Sequence, residues 1–254
     1  MRGNRVLVTS PRGKMGSVVS RFINEHSQLE LCGVMDKKTD TSDYLFSTYY
    51  EIEEAIKVTK PDVCLIFSPT DIAFNQAIKC LERKVVPIIG TTGFTDEQIL
   101  TLKETSELKQ VKLMIIPNFA IGAVLMMKYA KHASKYLNHY EIIEMHHPNK
   151  KDAPSGTAKK IAELIEQEKQ TNDKIQTNFI NNLRGMNYNN DRIHSIRLEG
   201  IIANHQVIFG SNGETLTLKH DTISRESFCR GIELAIFKLS EVDLFTYGLE
   251  QLLD

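Results

Sequence analysis

The stretch Arg5-Val-Leu-Val-Thr-Ser-Pro-Arg-Gly-Lys-Met-Gly16 decides the fold. Arg5 to Thr9 reads as a short buried strand, Ser10 to Gly16 as a turn, and Ser17 to His26 as a helix. Leu29 to Met35 is a second strand and ends in Asp36. This is a βαβ unit with an acid about 20 residues beyond its first turn. A dinucleotide needs small residues where the backbone meets its pyrophosphate and an acid to accept from its ribose hydroxyls. Ser10, Gly13, Lys14, Met15, Gly16 and Asp36 are the candidates. The spacing G-x-x-G is weak evidence alone, since Ser10 holds the usual first glycine position and Pro11 removes a donor. The competing reading is any strand–turn–helix in which a glycine permits close packing.

The pattern repeats beyond this unit. Residues 39–60 are polar and irregular, with a short helix near Glu51 to Val58. Strands follow at Pro61–Phe67, Val85–Ile89 and Val111–Ile116, separated by helices at Asp71–Arg83 and Asp96–Leu108. Strands that alternate with helices imply a parallel sheet, and its ligands bind beyond the carboxyl ends of the strands. There lie Phe67 and Ser68, expected as wall, and Gly90-Thr-Thr-Gly93, a narrow polar floor that includes Thr91 and Thr92. From Ile121 to Leu137 a long helix carries Met126, Met127, Ala130 and Ala133 on an apolar face, read as core. Later strands at Ile193–Leu198, Ala203–Gly210 and Glu214–Asp221 have no helices between them and should be antiparallel, with a hairpin turn at Gly213-Glu214. Helices are expected at Arg225–Leu239 and Tyr247–Leu253. The polar segment Gln170–Asp191 is long enough for a lid or an interface arm. The fold class is therefore α/β: an N-terminal Rossmann-like parallel sheet over residues 1–117, then a smaller α+β domain over 118–225 with a mixed, largely antiparallel sheet.

A second stretch carries the chemistry, Glu141-Ile-Ile-Glu-Met-His-His-Pro-Asn-Lys-Lys-Asp-Ala-Pro-Ser-Gly-Thr-Ala158. A strand ends near Met145, a charged loop turns, and a helix begins after Ser155. The N–H groups at a helix start favour an anion. Gly156 leaves room for a ligand, Thr157 adds a hydroxyl, and His146, His147 and Lys150 supply charge and a titratable proton. One reading is a carboxylate site with a general acid beside it. The other is a solvated loop with Ser155 as an ordinary helix cap. A metal site from His146, His147 and Asp152 is disfavoured, because adjacent residues on an extended segment point opposite ways.

Glu141–Ala158 fits E-I-x-E-x-H-H-x-x-K-x-D-A-P-S-G-T-A and resembles the signature of the 4-hydroxy-tetrahydrodipicolinate reductase family, formerly dihydrodipicolinate reductase. Gly13-Lys-Met-Gly16 resembles its G-x-x-G-[RK]-M-G, Gly90-Thr-Thr-Gly-Phe94 its G-T-T-G-F, and Pro117-Asn-Phe-Ala-Ile-Gly122 its [AP]-N-F-[SA]-[IV]-G. Arg197, His205, His220 and Arg225 fit the pattern of its C-terminal half; read singly on strands, such residues belong to edges or interfaces. The chain departs from the family at Ser10, at Ile66 where an acid is usual, and at Ala123-Val124 where V-N is common.

The resemblance implies reduction of 4-hydroxy-tetrahydrodipicolinate to tetrahydrodipicolinate, in lysine and diaminopimelate biosynthesis, with NADH and/or NADPH. It implies that Gly90, Thr91 and Thr92 contact nicotinamide, and that Pro117, Asn118 and Phe119 touch cofactor at a hinge. Ser155, Gly156 and Thr157 would take a substrate carboxylate, Lys150 would hold substrate charge, and His147 would orient it. His146 is the expected proton donor, with Lys150 assisting. An acid at Asp36 favours NADH, and Lys37 or Lys38 can offset it for NADPH. The last helices, 226–254, would return to the dinucleotide-binding domain. Residues 118–225 would bind substrate and build a homotetramer, and two domains imply hinge closure. Two other readings stand beside this one: a related dehydrogenase for another amino-acid-derived carboxylate, separated by a substrate panel, and a cofactor-sensing protein without turnover, separated by binding without hydride transfer.

Composition bounds these expectations. With 254 residues and a net charge of -1, the chain has no global basic field for nucleic acid or a membrane surface. Cys32, Cys64, Cys80 and Cys229 lack metal-type spacing and suit buried thiols in a reducing cytosol. No signal peptide and no apolar run of membrane-spanning length is visible, so the expected location is cytoplasmic.

Overall fold

The computed structural model describes residues 4–36, 46–168, 185–188 and 191–253. The chain divides into two compact units, Met1–Phe119 with Arg225–Asp254, and Ala120–Ser224.

The first unit opens with β1 (Asn4–Thr9), α1 (Lys14–Glu25), β2 (Leu29–Met35) and β3 (Thr48–Tyr49). It continues through α2 (Ile52–Thr59), β4 (Val63–Ile66), α3 (Thr70–Glu82), β5 (Val86–Ile89), α4 (Asp96–Lys109) and β6 (Leu113–Ile115). With β12 (Phe245–Tyr247) from the C-terminal segment, its seven strands pair in the order β12-β6-β5-β4-β1-β2-β3, and every pairing is parallel. Val6, Leu7, Val8 and all of β4 are fully buried, as parallel strands are when helices cover both faces. α4 begins at a capping box in which Thr95 and Gln98 satisfy each other's backbone N–H. The chain leaves β1 towards β2 on one side and resumes at β4 on the other. That reversal puts the switch point at the carboxyl ends of β1 and β4, where open α/β sheets bind ligands.

The second unit contains α5 (Ile121–Ala133), β7 (His139–His146), α6 (Gly156–Glu166), β8 (Met186–Tyr188), β9 (Asp191–Arg197), β10 (Ala203–Ser211) and β11 (Glu214–Thr222). Its sheet runs β11-β10-β7-β9-β8. Met126 and Ala130 of α5 and Ile161, Ala162 and Ile165 of α6 pack on Ile142, Ile193, Val207 and Phe209 of the sheet. The three expected strands alternate in direction: β10 pairs antiparallel with β11 and with β7, and β9, which pairs parallel with β7 because α6 lies on the crossover between them, runs opposite to β10 without neighbouring it. The β10–β11 hairpin turns at Asn212-Gly213, with Gly213 at φ +82°.

The C-terminal segment returns to the first unit as a 3-10 turn (Arg225–Phe228), α7 (Cys229–Phe237), a 3-10 turn (Lys238–Glu241) and β12 (Phe245–Tyr247). The helix expected over Tyr247–Leu253 is instead the end of β12 and a 3-10 turn at Glu250–Leu252. Phe245, Thr246 and Tyr247 extend the sheet beside β6, and the Gly248 N–H donates to the Ile115 carbonyl at 2.8 Å. The long helix expected to Leu137 stops as α-helix at Ala133. Lys37, Lys38 and most of Gln170–Asp191 lie outside the described residues.

Candidate active site

In the first unit the turn after β1 is shaped by missing side chains. A Cβ on Gly16 would sit 2.0 Å from the Ser10 carbonyl oxygen, so only glycine lets α1 start this close to the turn. Gly13 caps α1 without a side-chain hydrogen bond, leaving the first N–H groups of the helix to an anion. Ser10, where the family commonly has glycine, adopts φ +53°. That left-handed conformation explains why glycine suits the position. The Ser10 N–H donates to the Met35 carbonyl at 2.9 Å. Its hydroxyl lies 3.0 Å from the Ser68 Oγ, which in turn donates to the Thr9 Oγ1 at 3.1 Å. These contacts hold the two sides of the switch point together.

A cleft of about 450 Å³ opens beside this turn, with Ser10, Gly13, Asp36 and Ser68 in its lining. Asp36 is bound by Arg12, Nε to Oδ2 at 2.8 Å, a partner the sequence reading did not anticipate. Farther along the sheet edge, Phe67 and Phe119 meet with ring centroids 6.2 Å apart. A Cβ on Gly90 would strike Phe67 at 2.4 Å and Phe119 at 3.0 Å. Thr91 Oγ1 donates to the Ser68 carbonyl at 2.7 Å, and Thr70 Oγ1 to the Thr92 carbonyl at 2.9 Å. The first-unit candidates at Ser10–Gly16, Phe67–Ser68, Gly90–Thr92 and Pro117–Phe119 thus line one edge of one sheet. Lys37 lies outside the described residues. The uncapped glycine turn, the acid at the end of β2 and the adjoining cleft fit the adenosine and pyrophosphate half of a dinucleotide.

In the second unit the site grows from the alternation of β7. Ile142, Glu144 and His146 occupy its inward register and are all buried. Glu144 is fully buried, and four contacts compensate its charge. His146 Nδ1 donates to Oε2 at 2.5 Å, and Arg197 makes two parallel bonds, Nη1 to Oε2 at 3.0 Å and Nη2 to Oε1 at 2.9 Å. The Ser155 N–H donates to Oε1 at 3.2 Å. Burial pushes the Glu144 carboxyl upward, but the hydrogen bonds from His146, Arg197 and Ser195 outweigh it and hold its pKa at about 2. The residue is an anion at neutral pH.

Arg197 also ties down the loop. Its Nη2 donates to the Asp152 carbonyl at 2.7 Å. Ser155 caps α6 by accepting from the Ala158 N–H at 3.2 Å, and its Oγ lies 3.1 Å from His205 Nε2. Since Ser155 Oγ accepts from Ala158, its hydroxyl proton is available for the His205 nitrogen. Burial, then the charge of His146, lowers the His205 pKa to about 3, so this imidazole is neutral and can accept. The rings of His146 and His205 meet edge to face, centroids 5.3 Å apart.

With Nδ1 engaged, His146 has Nε2 left for chemistry. The Gly156 and Thr157 N–H groups have no intrahelical acceptor, and a Cβ on Gly156 would meet nothing within 4 Å. Lys150 pairs with Asp152, Nζ to both carboxylate oxygens at 2.8 and 2.9 Å. His147 opens the turn, its carbonyl accepting from the Lys150 N–H at 3.1 Å. The structure joins His146 and Ser155 through Glu144, with Gly156 and Thr157 following directly. Glu144, Arg197 and His205 were not foreseen as members of this network. His220, by contrast, packs against α5 at Gly122, where a Cβ would sit 2.8 Å from its Cδ2.

Comparison with known proteins decides the family. Residues 4–119 match the model for the N-terminus of dihydrodipicolinate reductase, and residues 122–253 that for its C-terminus. The chain belongs to the dihydrodipicolinate reductase family. It is 41% identical to the 4-hydroxy-tetrahydrodipicolinate reductase of Streptococcus gordonii, covering 99% of this chain and 100% of the relative. It is 39% identical to that of Lysinibacillus sphaericus, covering 98% and 99%. A solved dipicolinate-bound dihydrodipicolinate reductase from Paenisporosarcina sp. TG-14 superposes with a TM-score of 0.87 at 38% identity, covering 98% of this chain and 99% of that one. As a member of this family the chain is an oxidoreductase with NADH or NADPH as cofactor, and the family reaction is reduction of 4-hydroxy-tetrahydrodipicolinate to tetrahydrodipicolinate in lysine and diaminopimelate biosynthesis. No helix among the described residues is long and apolar enough to cross a membrane.

Proposed function

We propose that this chain performs the family reaction with the first unit as its dinucleotide-binding domain and the loop between β7 and α6 as its substrate-binding and proton-delivering element. The observation that carries the reading is the buried Glu144 carboxylate, which clasps both His146 and the start of α6. One carboxylate thus sets the relative position of a proton donor and an anion-binding helix terminus.

The N–H groups of Gly156 and Thr157, with the Thr157 hydroxyl, bind one carboxylate of a cyclic dicarboxylate. Ser155 fixes them by capping the helix, and Lys150 exchanges its Asp152 partner for substrate charge. His147 orients the ring. The 4-hydroxyl leaves the ring as water, and reduced nicotinamide, when bound, would supply a hydride to the conjugated ring carbon that this leaves. As negative charge reaches the imine nitrogen, His146 delivers a proton from Nε2. Glu144 stabilises the cationic imidazole and keeps Nδ1 protonated. Dipicolinate, named with the Paenisporosarcina relative, is a planar dicarboxylate of the required class and supports this reading.

In this reading the cofactor set is Ser10, Gly13, Lys14, Met15, Gly16, Asp36, Lys37, Phe67, Ser68, Gly90, Thr91, Thr92, Pro117, Asn118 and Phe119. The protein works in the cytoplasm as a homotetramer assembled through the second unit's sheet. The exposed side chains of Ile196, Leu198 and Leu216 support that assembly.

His146→Gln and Lys150→Ala test the chemistry. Each should lower kcat by about a hundredfold or more while cofactor affinity, measured separately, stays constant. An unaltered kcat in both variants would remove the loop from catalysis.

A further inference from the structure

The loop that carries Lys150 is held by a side chain from another strand. Arg197 is the last residue of β9 and lies beside His146 in the register of β7 with β9. The next N–H, that of Leu198, donates to the His146 carbonyl at 2.9 Å. The Arg197 guanidinium therefore stands where the loop leaves β7. Such a group has five N–H donors, and here each has an acceptor. Nη1 donates to Glu144 Oε2 at 3.0 Å and to the Ile196 carbonyl at 2.8 Å. Nη2 donates to Glu144 Oε1 at 2.9 Å and to the Asp152 carbonyl at 2.7 Å. Nε donates to the Lys150 carbonyl at 3.4 Å, the longest of the set.

No donor is left over for a substrate carboxylate, so Arg197 acts through what it holds. One edge of its planar fork takes the buried carboxylate. The adjacent edge, Nε with Nη2, takes the loop carbonyls on either side of Lys151. The two residues so clasped are Lys150 and Asp152, whose side chains pair with each other. Their backbone is pinned, yet their side chains lie at the surface, that of Asp152 more than half exposed. The Lys150 ammonium can leave its partner without the loop shifting. We infer that Arg197 is a positioning residue for Lys150. It ties the Glu144 carboxylate to the backbone of Lys150 and Asp152, and so sets where the ammonium meets substrate charge. The same carboxylate accepts from His146 Nδ1, so one fork also fixes the spacing of Lys150 from the proposed proton donor. The inference rests on the proposed role of this loop in binding the dicarboxylate.

The test is a double-mutant cycle on the full chain, with freshly generated 4-hydroxy-tetrahydrodipicolinate as substrate and NADH affinity from fluorescence titration. Arg197→Lys keeps a cation beside Glu144 and loses the edge that holds the loop. It should raise KM for the dicarboxylate and lower kcat/KM by about 10- to 100-fold, with NADH affinity within about threefold. Arg197→Ala should lose more, and added ethylguanidinium should restore part of the loss; if its melting curve shows that it does not fold, Arg197→Lys decides alone. In a Lys150→Ala background, Arg197→Lys should change kcat/KM by less than about threefold, because the group it positions is gone. The same large loss in both backgrounds would overturn the inference by assigning Arg197 to His146 or to the fold. A lower kcat with unaltered KM, the mark of a smaller active fraction, would overturn it too, as would an unaffected kcat/KM in Arg197→Lys. Should Lys150→Ala itself leave kcat/KM unchanged, the reading of the loop fails first and takes the inference with it.

Discussion

Two turns in this molecule have the same outline, strand end to helix start, and opposite construction. The turn from β1 to α1 is made by omission: Gly13 and Gly16 carry no side chains, and α1 has no side-chain cap. The turn from β7 to α6 is made by addition: Ser155 caps the helix, and a buried carboxylate gathers an imidazole, a guanidinium and a backbone N–H. In the proposed reading the first exposes bare backbone to a large anion that brings its own chemistry, and the second holds a proton donor in place, which a backbone cradle alone cannot do.

The contrast can be broken most severely at Glu144. Glu144→Ala leaves Arg197 and His146 without their buried counter-charge, and should cost about 3–5 kcal/mol in denaturant unfolding. In the unaltered protein the folded pKa of about 2 lies below the ordinary 4.5. The stabilisation, roughly 3 kcal/mol, is therefore complete above about pH 4.5 and lost as pH falls towards 2. Melting curves across that range should show the loss in the native chain and not in the variant. If Glu144 positions His146, the variant should also lose kcat while its affinity for reduced cofactor, measured separately, is unchanged.

Filling the first turn should have an intermediate effect. Gly16→Ala pushes a Cβ against the Ser10 carbonyl, and should cost about 1–3 kcal/mol and weaken NADH binding about tenfold. Normal affinity would show that the turn has more slack than its geometry allows. The smallest effect belongs to Ser10. Ser10→Gly removes left-handed strain but gives up the contact to Ser68, so it should lie within about 1 kcal/mol of the native chain. Ser10→Ala keeps the strain and loses the contact, and should be the less stable of the two by thermal melting.

The same contrast explains what could be read in advance. Glycines, helix caps and strand–helix alternation are local, so the βαβ turn, Ser155 as a cap and the parallel sheet were all legible. The network under His146 is not local: Arg197 lies 53 residues from Glu144, and His205 lies 50 from Ser155. Yet a signal was present. Glu144 and His146 share the register of Ile142 on β7, and His205 shares that of Val207 and Phe209 on β10. Charged or polar residues on the apolar face of a strand must be compensated, and that compensation became the site. Arg12 escaped notice because only the folded turn brings it to Asp36. The strand at Phe245–Tyr247 was missed because three residues are too few to show a period.

That last strand has a consequence for how the protein is made. β12 is synthesised after the whole second unit, yet it pairs with β6 and buries Thr246 completely. On the ribosome the first sheet must wait with one margin uncovered while another unit emerges and folds. Early release of the chain would leave that hydrogen-bonding margin open to neighbouring molecules, even with both candidate site turns already translated.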